Sequence, residues 1–187
     1  MTRQIRILAI LLLVTSSFGC KEKRDTAQTK KHAIDNERSF QLLVDGFTAS
    51  LPDSNYIVTF GIRNGSNIDL TYYKNEGNIA DNKNHFGGQN LDLHSNELDK
   101  AIKDLGWTYE TVDKLTKGLK AIQCDYIRNT DRFGKPINIY NTPEGMVNSD
   151  YNVYPTEMLD TVKAVHGEPI GQTDFLKRVY VMTSSAL

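Results

Sequence analysis

Cysteine is scarce. The 187 residues contain two, Cys20 and Cys124, so the dense disulfide framework that staples many small exported domains is excluded and the core must hold by packing. An excess of charge of one sign is lacking as well. The 22 lysines and arginines stand against 23 acids and are interspersed with them, and without a basic face nothing suggests nucleic acid as a partner. The amino-terminal apolar run, Ile7–Val14, is eight residues long, less than half of the roughly 20 that a membrane-spanning helix needs. Signatures of chemistry are missing in turn: there is no HExxH, no cysteine pair for zinc, no GxSxG and no phosphate loop ending in Lys-Ser/Thr. Nor does any internal repeat recur at a fixed period.

What stands at the amino terminus has three parts. Arg3 and Arg6 are basic, Ile7–Val14 is apolar and Thr15–Gly19 is mostly small, which is the layout of a secretory signal. The next feature, Ser17-Phe18-Gly19-Cys20, resembles the lipobox of bacterial lipoproteins. Gly19 and Cys20 match it, whereas Ser17 stands where leucine is commoner and Phe18 is bulkier than usual. The resemblance implies that the peptide before Cys20 is removed, that the Cys20 sulfur receives a diacylglyceryl group, and that the new amino terminus is acylated. Such chains, at about 0.8 kcal/mol per buried methylene, hold a protein at a membrane where a single chain does not. A secreted form without lipid is the alternative. Lys21 after the cysteine is similar to outer-membrane sorting in some Gram-negative lineages, so the expected location is the cell envelope and its outer membrane.

On this reading residues 1–19 are signal, 20–33 are a flexible tether and 34–187 are one domain. The tether, "KEKRDTAQTKKHA" after Cys20, is too polar to offset its ordering entropy by burial. The mature chain keeps 168 residues, with 20 basic and 23 acidic side chains, enough for a real core. In the domain, Phe40, Leu43, Val44 and Phe47 share one helical face and predict a helix over 35–48. "NYIVTFGIR" and "NIDLTYYK" flank Asn64-Gly65-Ser66 and predict a hairpin with Val58, Phe60 and Ile62 opposite Ile68, Leu70 and Tyr72. Residues 75–93 read as a long polar loop.

Two helices follow. The first has the stripe Leu98, Ala101, Ile102, Leu105, a cap at Ser95 or Asn96 and a stop at Gly106. The second is capped by Thr108 and lined by Val112, Leu115, Leu119 and Ile122, with Trp107 placed to pack on Val112 as a hydrophobic staple. Short strands come next at "DYIRN", "INIYN" and "YNVYP", with a turn at "DRFGKP" and a loop at "TPEGMVNSD" between them, then a helix over 156–165, and "KRVYVMTSS" closes the chain as a strand. Helices and antiparallel strands in this order predict an α+β domain. Leu98 to Tyr140, through "LDKAIKDLGW", "LKAIQCDYI" and "PINIY", also resembles small uncharacterised bacterial lipoproteins. That likeness implies an exported setting and a fold with a helix pair and an antiparallel sheet, and carries no activity.

Residues with reactive chemistry have structural readings. His32 falls in the tether, His85 in a loop, His94 before a helix and His166 at a helix end. Glu110 and Asp113 share a helix face as a solvated pair. Cys124, beside Asp125, reads as a buried structural thiol, since a neighbouring carboxylate disfavours the thiolate. No catalytic residue, metal ligand or cofactor is assigned; the one assigned site is lipid attachment at Cys20. The expected function is a membrane-anchored, non-enzymatic domain that binds an envelope protein or small ligand, through 75–93 and exposed rings among Tyr72, Tyr73 and Tyr154. The alternatives are an envelope hydrolase with a dispersed site, in which His85 would gather with acids, and an immunity-type protein that binds a toxin.

Overall fold

The computed structural model describes residues 26–52, 55–74, 85–131, 135–141 and 151–181. The chain begins with two helices, α1 (Thr26–Asp35) and α2 (Glu37–Ser50), followed by strands β1 (Tyr56–Arg63), β2 (Asn67–Lys74) and β3 (His85–Leu91). Helices α3 (Asn96–Asp104) and α4 (Tyr109–Ala121) lead to β4 (Tyr126–Asn129), β5 (Ile137–Tyr140) and β6 (Tyr151–Val153). A short α5 (Leu159–His166) precedes the last strand, β7 (Val179–Val181). All seven strands join one antiparallel sheet in the order β3-β2-β1-β4-β5-β6-β7. This is an α+β domain of two meanders, β1–β3 and β4–β7, meeting where β4 pairs with β1.

The helix pair makes that meeting possible. Chain leaving β3 at one edge travels through α3 and α4 across the sheet and returns beside β1. Its local signals are those expected: Ser95 Oγ accepts the Leu98 N–H and Thr108 Oγ1 accepts the Thr111 N–H, each satisfying a first-turn donor. Gly106 ends the first helix with φ of 67°, a conformation that costs glycine nothing. Trp107 is buried and its indole N–H donates to the Ser50 carbonyl at 2.6 Å. That bond pins the start of α4 to the end of α2. The two helices are therefore antiparallel, and a Cβ at Gly118 would come within 2.9 Å of the Leu43 side chain, so their close approach needs glycine there.

One sheet face is apolar and carries the core. Phe60, Leu70, Ile127, Ile139 and Tyr151 follow one another across five strands in register, all 0 % exposed. Phe40, Leu43, Val44 and Phe47 of α2 and Val112, Leu115 and Leu119 of α4 are buried in the same core. The hairpin forms as expected: Asn64 and Gly65 take positive φ of 52° and 79°, as a tight hairpin turn requires. The opposite face is polar, with Thr71, Thr59, Arg128, Asn138, Asn152 and Tyr180 in one cross-strand row.

Three expectations need correction. Residues 26–33, expected within the flexible tether, belong to helix α1, which buries Thr29 and Ala33. The tether reading counted apolar residues and missed a docking contact made by His32, whose Nδ1 lies 2.7 Å from the Tyr151 hydroxyl and whose ring meets Phe40 edge-on. Residues 85–91 of the expected loop 75–93 form strand β3, pairing with β2 through Phe86–Tyr72 and Leu91–Ile68. Two glycines and a polar composition hid a strand whose backbone, not its side chains, supplies the pairing; residues 75–84 lie outside the described residues. Within 156–165 the first turn is a 3₁₀ turn, Thr156–Met158, before α5.

The Tyr151 hydroxyl also donates to the Thr29 carbonyl at 3.2 Å, so it makes two polar contacts with α1. Tyr151→Phe keeps the ring packing on Phe40 and removes both bonds. It is expected to cost about 1 kcal/mol, read by urea denaturation, and to speed amide exchange in 26–35 selectively. Unchanged exchange there would mean that α1 is not held by this contact.

Candidate functional site

Two of the three expected binding rings are buried. Tyr72 and Tyr154 are 5 % and 3 % exposed, because both serve as core: the Tyr72 ring stacks on Phe86 and its hydroxyl donates to Asp104 at 2.9 Å, while Tyr154 packs with Val162 and Tyr180 under α5. Tyr73 is partly exposed and pairs across the ladder with His85. In fact each histidine has a tyrosine beside it. His32 meets Tyr151, His94 lies with its ring 4.3 Å from that of Tyr109, and His166 Nε2 is 3.3 Å from the Tyr154 hydroxyl. Among the described residues no group of three His, Cys, Asp or Glu is placed to hold a metal. Glu110 and Asp113 form surface pairs with Lys114 and Lys117 at 2.7 and 2.6 Å, as a solvated face would. Cys124 is buried, 2 % exposed. Cys20 lies outside the described residues.

The densest polar arrangement grows from a glycine. Gly61 of β1 stands between Asp69 of β2 and Tyr126 of β4 in one register row. A Cβ at Gly61 would fall 2.2 Å from two carbons of the Tyr126 ring. Only with no side chain there can the ring lie across β1, which lets its hydroxyl donate to Asp69 Oδ2 at 2.6 Å, two strands away. Asp69 is 6 % exposed and also accepts from Arg63 Nε at 2.9 Å and from the Asn90 N–H at 2.6 Å. A carboxylate buried with three donors is well satisfied. Its bond and charge hold the Arg63 guanidinium firmly protonated, above its ordinary range. Tyr126 is pushed up, first by burial and then because its proton is donated to Asp69. The Tyr140 ring stacks on Tyr126 with centroids 5.2 Å apart and planes 8° from parallel.

A cavity of about 510 Å³ opens beside this cluster, lined by the charged residues Arg63, Lys120 and Asp125 and by Gln123 and Tyr126, with Ile62 and Cys124. Its walls are the β1–β2 turn and the connection from α4 to β4, joined by the Ile62 N–H donating to the Asp125 carbonyl at 2.9 Å. The Arg63 side chain lines this space and is 27 % exposed while its Nε is engaged by Asp69. A second cavity, about 620 Å³, is a groove between α2 and α4, lined by small residues, by Leu42 and by Lys114 and Lys117. Leu42 is 64 % exposed.

None of Arg63, Asp69, Lys120 or Tyr126 stands out in the sequence as a site residue. Two signals were present: a glycine inside a strand, which marks close approach of another group, and an aspartate between Ile68 and Leu70 in an apolar strand. Neither says where Tyr126 comes from, since 57 residues separate it from Asp69.

Two outcomes test this arrangement. Gly61→Ala is expected to cost at least 2 kcal/mol in denaturant unfolding, as overpacking does when the neighbour cannot yield, and to displace the Tyr126 ring. An alkaline titration tests the buried phenols. Tyr72, Tyr126, Tyr140, Tyr154 and Tyr180 are all raised from the ordinary value of 10.0, burial being the largest cause in each. A raised phenol keeps its proton in the folded chain after the unfolded chain has lost it, so the stability it shares is present below pH 10 and falls above it. Tyrosinate absorbance should therefore rise together with loss of helical circular dichroism above pH 10. Ionisation of all nine tyrosines with the helical signal intact would contradict the burial. Comparison with family models, with curated proteins and with solved structures gives no match.

Proposed function

We propose that this chain is a lipid-anchored protein of the bacterial cell envelope, held through Cys20, whose domain binds a carboxylate-bearing ligand in the pocket beside Arg63. The anchor is supported by the basic, apolar and small segments before Cys20. Helix α1 begins at Thr26, six positions after that cysteine, and chain of that length spans at most about 20 Å. An anchored domain would thus sit close to the headgroups, with the outer membrane of a Gram-negative cell as the proposed surface.

Recognition is carried by one observation. Arg63 lines the pocket while its Nε is tied to the buried Asp69, so the guanidinium is oriented before any ligand arrives, and less order has to be imposed on binding. Its planar fork suits a carboxylate. Lys120 adds positive charge to the wall, which Asp125 partly offsets, and Ile62, 7 % exposed, contributes a small apolar surface. An acidic segment of an envelope protein has this chemistry.

Cys20→Ser is expected to abolish labelling by a fatty-acid probe and to release the protein from membranes; retained labelling would defeat the anchor. For the pocket, the full chain in micelles is titrated with N-acetyl-leucine, which joins one carboxylate to one apolar side chain. Arg63 and Tyr126 resonances should shift, and Arg63→Gln should weaken the effect at least tenfold while the fold persists. Shifts elsewhere alone, or binding unaffected by Arg63→Gln, would overturn the assignment.

A further inference from the structure

The groove between α2 and α4 has an unexplained glycine in its floor. Gly46 lies inside a 14-residue helix, where glycine is less favourable than alanine. Nothing lies within 4 Å of where its Cβ would be, so no packing within the chain demands it. One turn away on the same flank, Leu42 is 64 % exposed. A projecting side chain and a hole occur together.

The groove residues of α2 are Ser39, Leu42, Leu43, Gly46, Ala49 and Ser50. Ser39, Leu42, Gly46 and Ala49 have alternating spacings of three and four, the seam of a coiled coil, and Leu43 and Ser50 are the flanking positions on the α4 side. In a parallel pair, a knob at the position of Leu42 enters a hole formed by the facing helix's Ser39, Leu42, Leu43 and Gly46. All four line the groove.

We infer that a second copy of this chain covers this face, its α2 lying parallel to the first α2 in the groove, with each Leu42 seated in the other's hole. The pairing is isologous and closes on itself. Charge agrees with it. Trp107 bonds Ser50 and Gly118 lies against Leu43, so α4 runs opposite to α2, and a parallel second α2 brings its Asp45 level with Lys114 on the groove wall. Arg38 of that copy comes level with the carboxyl end of α4, where a positive charge suits the helix dipole. The two-fold axis runs along the helices and leaves both amino termini at the same end, as two chains anchored to one membrane need.

The test uses the full chain in its membranes, with the unsubstituted chain as control for Cys20 and Cys124. Leu42→Cys is expected to give a disulfide-linked dimer under mild oxidation, whereas Lys100→Cys on the exposed side of α3 is not. Gly46→Leu fills the hole. It should abolish dimer capture in the Leu42→Cys background and give a single-chain mass by light scattering in detergent, with a thermal midpoint unchanged or raised, because the monomer has room for the side chain. A folded Leu42→Cys chain that forms no self-dimer, or that cross-links to a different envelope protein, would overturn the inference. So would a dimer that survives Gly46→Leu.

Discussion

The Tyr126 hydroxyl reaches Asp69 by crossing Gly61, and this contact sits where the two halves of the sheet meet. Within β1–β3 and within β4–β7 each strand pairs with the next one in the chain, so these pairings close comparatively short loops, with α5 intervening between β6 and β7. The β1–β4 pairing is different: the chain must pass through both α3 and α4 before β4 can find its partner. Two side-chain devices reinforce that seam. At one end is the Tyr126–Asp69–Arg63 cluster; at the other, Asn129 accepts the Val58 N–H at 2.7 Å and donates to the Tyr56 carbonyl at 2.6 Å, taking over from the backbone ladder where it stops. Buried polar groups so fully matched favour one register over its neighbours.

The same seam creates the proposed recognition pocket. Because β4 begins beside the end of β1, the β1–β2 turn and the α4–β4 connection face each other, and Arg63 lies between the cluster that orients it and the open space it lines. Structure and the proposed binding thus share a residue. The groove, by contrast, depends on the packing of α2 against α4, which Trp107 and Gly118 set. The two surfaces rest on different contacts, so one can be altered while the other is kept.

Much of the architecture was legible. Periodic apolar stripes announced α2, α3 and α4; capping residues located the starts of α3 and α4; Asn64-Gly65 announced the hairpin. These are local effects, decided within one or two turns. The amino-terminal helix was not legible, because Ala33 and Thr29 make a meagre stripe and the helix is held instead by His32 and Tyr151, 119 residues apart. Strand β3 was missed for a related reason: a glycine-rich edge strand gains its stability from the partner's ladder and shows little alternation of its own. Alternation in β2 puts Tyr72 on the core face with Ile68 and Leu70, where it lies, yet Tyr72 and Tyr154 both read as candidate exposed rings because tyrosine has an apolar body and a polar tip, and the pattern does not say which of them finds water.

The sequence by itself determined the fold class and the helix pair, since both depend on residues near one another in the chain. Tertiary structure alone decided that Gly61 makes room for Tyr126, that Asp69 fixes Arg63 at a cavity, and that Leu42 and Gly46 share an uncovered flank beside α4. Those depend on distances between elements, which arise only when the two meanders close around the helix pair and bury their common core.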